Sequence, residues 1–389
     1  MKKIIRITTV PISLGGLLKG QLKFMSNYYK MIGISSKGEQ IDGVYQLDRV
    51  ANEEIIEVIP VEMTRKITPL QDLKSVYHLY KIFKKEKPAI VHSHTPKAGT
   101  VSMIAAKFAG VPNRLHTIAG LPLMEAVGAK RILLDAVEKI TYACASMIYP
   151  NSEGLKSIIL DNNYTSEKKL KVLARGSSNG IDTNHFDPTL YSSKDNNALR
   201  EKLGITQDDM VFVFVGRLVK DKGINELINA FNIIEQEHQQ VKMILVGSYE
   251  RELDPVLPQT ESEIDRNPNI IPVGWQTDVR PFLAISDVLT FPSYREGFPN
   301  VVMQAGAMGV YSIVTNINGC NEIVEENING LIIPPKSDEA LKDAILKTIK
   351  NRELIKQTSL VCRQMIVERY ERNYVWQEIL HEYEKLLKN

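Results

Sequence analysis

"MVFVFVGRLVKDKGINELINAFNIIEQEHQQVKMILVG", residues 210–247, holds two apolar runs on either side of one helical period. "MVFVFVG" is too short for a helix and too uniformly apolar for a strand with one wet face. It reads as a strand covered on both sides, which is the habit of parallel sheets. "INELINAFNIIEQEH" then repeats apolar residues at helical spacing, and "VKMILVG" reads as the next buried strand. A strand, a helix and a second strand in this order form a right-handed parallel unit.

Outward from this unit the same rhythm continues. "NIIPVG", "VLTFPS", "YSIVT" and "GLIIPP" extend it towards the C-terminus. Upstream, "KIIRITTV" is followed by Gly15 and Gly16, which break the strand, and by the amphipathic "LLKGQLKFMSNYY". "PAIVHSH" precedes the helix "KAGTVSMIAAKFAG", and "NRLHTIAG" and "SMIYPNS" are further strands. Periodicity fades across "SNGIDTNHFDPTLYSSKDNNALREKLG", which is rich in Asn, Asp and Ser and reads as a linker. The expected α/β architecture is two doubly wound, Rossmann-like domains, at residues 1–190 and 191–365, followed by a terminal helix over 366–389 that packs back on the first domain. Ligands of such sheets bind beyond the carboxyl ends of the strands, so a cleft between the domains is the expected site.

Bulk properties agree with a globular protein of two cores. The chain has 389 residues, 43% hydrophobic and 24% charged, with no run of apolar residues long enough to span a membrane. Arg6 interrupts the first apolar run too early for a signal peptide, and three unpaired cysteines fit a reducing compartment. A cytoplasmic location is expected, with the inner face of the plasma membrane as its possible extension. A net charge of +2 argues against nucleic-acid binding, but residues 1–190 carry 26 − 17 = +9 and the remainder 22 − 29 = −7.

Two stretches carry chemistry. Arg217 follows the strand-ending Gly216 and Lys222 lies five residues on, so both cations stand at one strand's carboxyl end, where they can converge on a diphosphate. In "YREGFPNVVMQAGAMG", Pro299 suits the first position of a helix, and the free N–H groups of Phe298, Asn300 and Val301 face an anion there. Gly297 lets the backbone approach closely, and Glu296 suits sugar hydroxyls better than phosphate. The alternatives are a plain turn with a solvated glutamate, and two ordinary surface cations.

These motifs, with "VGWQTDVRPFLAISDVLTF" and "NGCNEIVEENINGLIIPP", resemble the donor-binding half of retaining glycosyltransferases of family four. "HSHTPKAGTVSMIAAKFAGVPNRLHTIAG" and "SSNGIDTNHF" resemble the acceptor half of its bacterial surface-polysaccharide members. The resemblance implies a GT-B fold and a nucleoside-diphosphate sugar as substrate, with a UDP-sugar favoured. It places Arg217 and Lys222 on the diphosphate, and Glu296 with Gly297, Phe298 and Pro299 on the donor sugar. Asn300 and Val301 meet the phosphate, and Trp275, Gln276 and Val279 lie near the base. Gly15 and Gly16 match a loop of the first domain that approaches the diphosphate.

Two positions depart from the family pattern. Gln304 stands where the pattern has a ribose-binding glutamate, and Ala119 where many members have a histidine. His116, three residues earlier on a strand, points to the opposite face and is no simple substitute. The sequence contains no Asp-X-Asp triplet, so the expected reaction needs neither metal nor cofactor. His94, Thr95 and Lys97 are expected to touch acceptor or donor phosphates, or else to cap the following helix. Lys74, Lys81, Lys84, Lys85 and Lys87, set among aromatics, form either a solvated helix face or a contact with anionic lipid. The implied acceptor is a glycan or a lipid-diphosphate-linked glycan. A hexosamine epimerase and a non-catalytic nucleotide-sugar binder are the competing functions.

Overall fold

A computed structural model describes residues 1–64, 68–121, 123, 126–252 and 254–388. The chain divides into two units, residues 1–180 with 372–389 and residues 181–371. Each is built on one six-stranded, all-parallel sheet.

In the first unit the strands are β1 (Lys3–Ile7), β2 (Lys30–Ser35), β5 (Glu57–Pro60), β6 (Ile90–Ser93), β7 (Asn113–Ile118) and β8 (Met147–Pro150); the short pair β3 (Gln40–Ile41) and β4 (Val44–Tyr45) lies apart. Their order is β5-β2-β1-β6-β7-β8, so direction of travel across the sheet reverses between β1 and β6. Successive side chains of β1 feed opposite layers: Ile5 and Ile7 join one core, while Ile4 joins the other. Arg6 shares the face of Ile4 and is wholly buried there. Helices Pro69–Glu86, Pro96–Ala109 and Gly128–Cys144 lie in the first layer, and Pro11–Leu17, Gln21–Ser26 and Arg372–Lys388 in the second.

The second unit repeats the scheme with β9 (Met210–Val215), β10 (Val241–Val246), β11 (Ile270–Gly274), β12 (Val288–Phe291), β13 (Tyr311–Thr315) and β14 (Gly330–Ile333), ordered β11-β10-β9-β12-β13-β14. The uniformly apolar β9 is buried on both faces: Phe212, Val213 and Phe214 have no exposed surface. Burying each such side chain contributes about 1.5–3 kcal/mol.

The boundaries differ from expectation at both crossings. The polar stretch after residue 180 is part of the second unit: Ile181 and Phe186 lie in its core, and Ile181 N donates to Tyr370 O at 2.8 Å. Arg363 fixes this stretch by donating to the carbonyls of Thr183 and Phe186 and to the Asp187 carboxylate. The loss of periodicity there reflects turns held by hydrogen bonds. The C-terminal helical stretch is two helices, Ser359–Tyr370 in the second unit and Arg372–Lys388 in the first. Val375, Trp376, Ile379, Leu380 and Tyr383 of the latter are buried in the first unit.

Candidate donor site and the polar core of the first unit

In the second unit, the site residues stand along the carboxyl ends of four neighbouring strands. Across the sheet these are β11 (Trp275), β10 (Glu250), β9 (Arg217 and Lys222) and β12 (Glu296 to Val301). The strand order reverses between β9 and β12, which is where open α/β sheets take their ligands.

Lys222 ends a 3₁₀ turn, Lys220–Lys222, closed by Gly223 at φ +72°. A Cβ at Gly223 would lie 2.2 Å from Pro292 O, so only glycine allows the loop after β9 to press against the loop after β12. That approach brings the Lys222 ammonium onto a carboxylate oxygen of Glu296. Both side chains are mostly buried, and the Lys222 ammonium also lies 5.6 Å from the centre of the Phe291 ring. Ser293 Oγ donates to the same glutamate at 3.1 Å, and Asn318 Nδ2 donates to its backbone carbonyl. Gly319, at φ +78°, sits beneath this loop; a Cβ there would meet Gly297 O at 2.6 Å. Glu296 is therefore a fixed member of a cluster, and the solvated-glutamate alternative is set aside.

The helix after it runs Asn300–Ala307, so Pro299 occupies the capping position instead of the first helical position. Pro299 supplies no side-chain cap, and the Asn300 and Val301 N–H groups take no protein acceptor among the described residues. With the helix dipole, these groups favour an anion in front of the helix. Val302, Met303, Ala305, Gly306 and Ala307 anchor the other side; a Cβ at Gly306 would lie 2.6 Å from Ile366, so the two helices pack closely. Gln304 is half-buried, one turn beyond Asn300 and Val301 on their side of the helix, and its side-chain amide takes no protein partner among the described residues.

Arg217 is half exposed, and its Nη1 donates to Glu250 Oε2 at 2.5 Å. Trp275 is 69% exposed, which leaves an indole face open to a planar group. Gln276 Nε2 donates to Val273 O at 2.7 Å, and Val279 packs against the core at the start of helix Arg280–Ala284. Burial pushes the Cys320 thiol well up from its ordinary range, with the Glu296 charge adding to the effect. Among the described residues, no group of three or more His, Cys, Asp or Glu could hold a metal.

The first unit treats its expected residues differently. Gly15 and Gly16 are inside helix Pro11–Leu17, where a Cβ at Gly15 would meet Val50 at 2.9 Å and one at Gly16 would meet open space. Neither lies in the expected loop. His94 is buried and its Nε2 accepts from Arg6 Nε at 2.9 Å. Thr95 occupies a helix-capping position without capping; its hydroxyl accepts from Thr9 N at 3.0 Å. Lys97 pairs with Asp72 at 2.6 Å. His116 lies under helix Pro96–Ala109, 2.9 Å from Ser93 Oγ, and a Cβ at Gly99 would collide with its ring at 2.3 Å.

Sequence reading missed the residue that organises this region. Arg6 donates to His94, to Tyr383 OH at 2.8 Å and to Gln21 Oε1 at 2.5 Å. Tyr383 OH lies 2.6 Å from His92 Nδ1, and His92 Nε2 lies 2.7 Å from Thr117 Oγ1. Tyr383 and His92 are both satisfied if protons run Arg6 to Tyr383 to His92 to Thr117, whereas His94 Nδ1 is buried without a partner. Burial first, then the Arg6 charge, hold His92 and His94 well below the ordinary imidazole range, and burial lowers His116 to about 4. An arginine inside an apolar run was the one available signal.

Two parallel sheets of this strand order, with a helix N-terminus and paired cations at the switch point of the second, define the GT-B class of glycosyltransferases. Residues 195–361 match the family described as glycosyl transferases group 1, and residues 24–152 match glycosyl transferase 4-like. The capsular polysaccharide biosynthesis glycosyltransferase CapM of Staphylococcus aureus is 35% identical over 100% of this chain and 98% of its own. A UDP-Gal:α-D-GlcNAc-diphosphoundecaprenol α-1,3-galactosyltransferase of Escherichia coli is 29% identical, over 78% of this chain and 77% of its own. The fold matches a Rickettsia africae glycosyltransferase (TM-score 0.80, 22% identity, 100% and 99% of the two chains) and Anabaena HepE in complex with UDP (0.80, 19%, 99% and 100%). The chain belongs to the group 1, family-four glycosyltransferases, and it is a glycosyltransferase of GT-B fold.

Proposed function

We propose that the enzyme transfers a sugar, with retention and without a metal, from a UDP-sugar to a lipid-diphosphate-linked glycan in surface-polysaccharide synthesis. One observation carries the reading. The ends of β11, β9 and β12 present an exposed indole, two cations, and a carboxylate with an uncapped helix N-terminus, in that spatial order. A nucleoside diphosphate sugar has the same order of parts: base, diphosphate, sugar. The Staphylococcus and E. coli relatives, by their names a capsular enzyme and a UDP-Gal transferase acting on a diphosphoundecaprenol-linked sugar, support the donor and acceptor classes.

In the reaction the bond from the sugar's anomeric carbon to the phosphate oxygen breaks, and that oxygen takes up negative charge. Lys222, Arg217 and the Asn300 and Val301 N–H groups stabilise it more than they stabilise the intact donor. The acceptor hydroxyl bonds to the anomeric carbon on the face the phosphate leaves, and its proton passes to the departing phosphate oxygen. Glu296, freed from Lys222 by the diphosphate, holds sugar hydroxyls. Gln304 binds ribose, accepting from one hydroxyl and donating to its neighbour.

The first unit fits a contact with anionic lipid. Its net charge is 29 − 18 = +11, against 19 − 28 = −9 for the second. Helix Pro69–Glu86 exposes Leu70, Leu73 and Tyr77 beside Lys74, Lys81 and Lys84. No helix among the described residues is long and apolar enough to cross a membrane. Changing Lys81, Lys84 and Lys85 to Gln should release the protein from acidic vesicles; wild-type protein that never sediments with them at low salt refutes the contact.

The test of the reaction is incubation with UDP-sugars and a lipid-diphosphate glycan, with and without chelator, followed by assignment of the product's anomeric configuration. Retained configuration and full rate in chelator are expected. An inverted product, loss of activity with chelator, or an epimerised donor without transfer overturns the reading.

A further inference from the structure

We propose that Glu250 is a built-in counter-charge for the donor site: in the free enzyme its carboxylate holds Arg217 in place of a phosphate oxygen, and it must leave before a nucleoside diphosphate binds. The proposal rests on the reading of Arg217 as a diphosphate ligand.

The pair joins the carboxyl ends of neighbouring strands β9 and β10, inside the row of site residues. Its backbone is fixed independently of the ion pair. Gly216 N donates to Val246 O and Leu218 N to Ser248 O, each at 2.9 Å, which sets Arg217 between two locked neighbours. At the other end of the β10 loop, Asp254 accepts from Lys220 N at 3.2 Å through its carbonyl and from Asp221 N at 2.7 Å through its carboxylate. Glu250 is thus presented to Arg217 by a loop pinned on both sides.

The pair is also exchangeable. The side chains are 50% and 35% exposed, and a pair this wet is weak enough for a ligand to displace. The charges within the site balance: Lys222 faces Glu296, and Arg217 faces Glu250. In a unit of net charge −9, a simple anion finds no uncompensated cation at these two positions. A simple anion meets the cost of displacing Glu250 with nothing to offset it, whereas a nucleotide also gains from contacts to its base and ribose. Glu250 therefore raises selectivity for complete nucleotide donors at the expense of affinity, a repulsive element built into the site.

Calorimetric titration of UDP and of uridine into four proteins tests this: wild type, Glu250→Gln, Arg217→Ala and the double variant, at low salt. Glu250→Gln should tighten UDP binding by about two- to fivefold, the range expected for release of one exposed ion pair, and leave uridine unchanged. In the Arg217→Ala background the same substitution should have no such effect. Glu250→Ala should change UDP affinity in the same direction, which separates a charge effect from the particular amide. Unchanged or weaker UDP binding in Glu250→Gln, or tightening that persists without Arg217, overturns the proposal. If Arg217→Ala leaves UDP affinity untouched, the underlying assignment of Arg217 fails, whatever Glu250 does.

Discussion

The two units share one strand order and end their central strands in opposite ways. At the carboxyl ends of β1 and β6, the polar groups are sealed in: Arg6 and His92 lie at 0% and 1% exposure and bond to protein partners. At the ends of β9 and β10, Arg217 and Glu250 are half open and, among the described residues, form an ion pair only with each other. A buried network with every partner inside the protein is costly to disturb, because each orphaned group keeps its desolvation penalty. A wet ion pair is inexpensive to exchange, which is what a ligand site needs. One topology thus carries a rigid polar core in one unit and a replaceable one in the other.

The largest effect should come from the sealed side. Arg6→Ala leaves Tyr383, Gln21 and His94 without their donor and should lower stability by about 3–5 kcal/mol, read from urea unfolding. A loss below about 1 kcal/mol would erase the contrast between the units. On the donor side, Lys222→Ala and Arg217→Ala should each reduce kcat/KM at least about 100-fold, roughly 2.7 kcal/mol, and Arg217→Ala should change stability little. A variant that keeps its rate shows that the leaving phosphate is stabilised elsewhere.

Acid should then separate the two sides. His116 has a folded pKa of about 4, below its unfolded value, so the unfolded chain binds more protons between the two. Stability should be fully present above about pH 6.5 and fall as pH drops, by roughly 2 kcal/mol from His116 alone at pH 5. His92 and His94 act in the same direction. Flat stability from pH 7 to 5 would show that these imidazoles are not held neutral by burial. The smallest effect sharpens the donor side. Gln304→Ala should weaken UDP binding by roughly 1 kcal/mol, about fivefold, and Gln304→Glu should be tolerated. Glu296→Gln should instead lower kcat more than donor affinity; a normal rate would remove Glu296 from the sugar.

The sheets and the donor motifs were legible because both are local. A run such as "MVFVFV" can satisfy its backbone and bury its side chains only as a central strand, whatever the rest of the chain does. Pro299 beside a helix start is set within a few residues. Locality sets Arg217 and Lys222 just past one strand and Glu296 just past another; their meeting across 74 positions is tertiary. The sequence erred where polarity was mistaken for exposure. "SNGIDTNHFD" looked like a linker, yet Ile181 and Phe186 enter a core because Arg363, far along the chain, bonds the carbonyls around them. His94 and Lys97 were expected at phosphates or capping a helix, but their partners, Arg6 and Asp72, lie on other elements.

By itself, then, the sequence determined the two large parallel sheets and the helix start near Asn300. Those follow from backbone hydrogen bonding, side-chain period and residues close in the chain. Only the tertiary structure decided which polar side chains are open to solvent and which are core. Tyr383 reaches Arg6 across 377 positions, and Glu250 reaches Arg217 across 33. A charge is buried or exchangeable according to what surrounds it in space, and spacing along the chain does not record that.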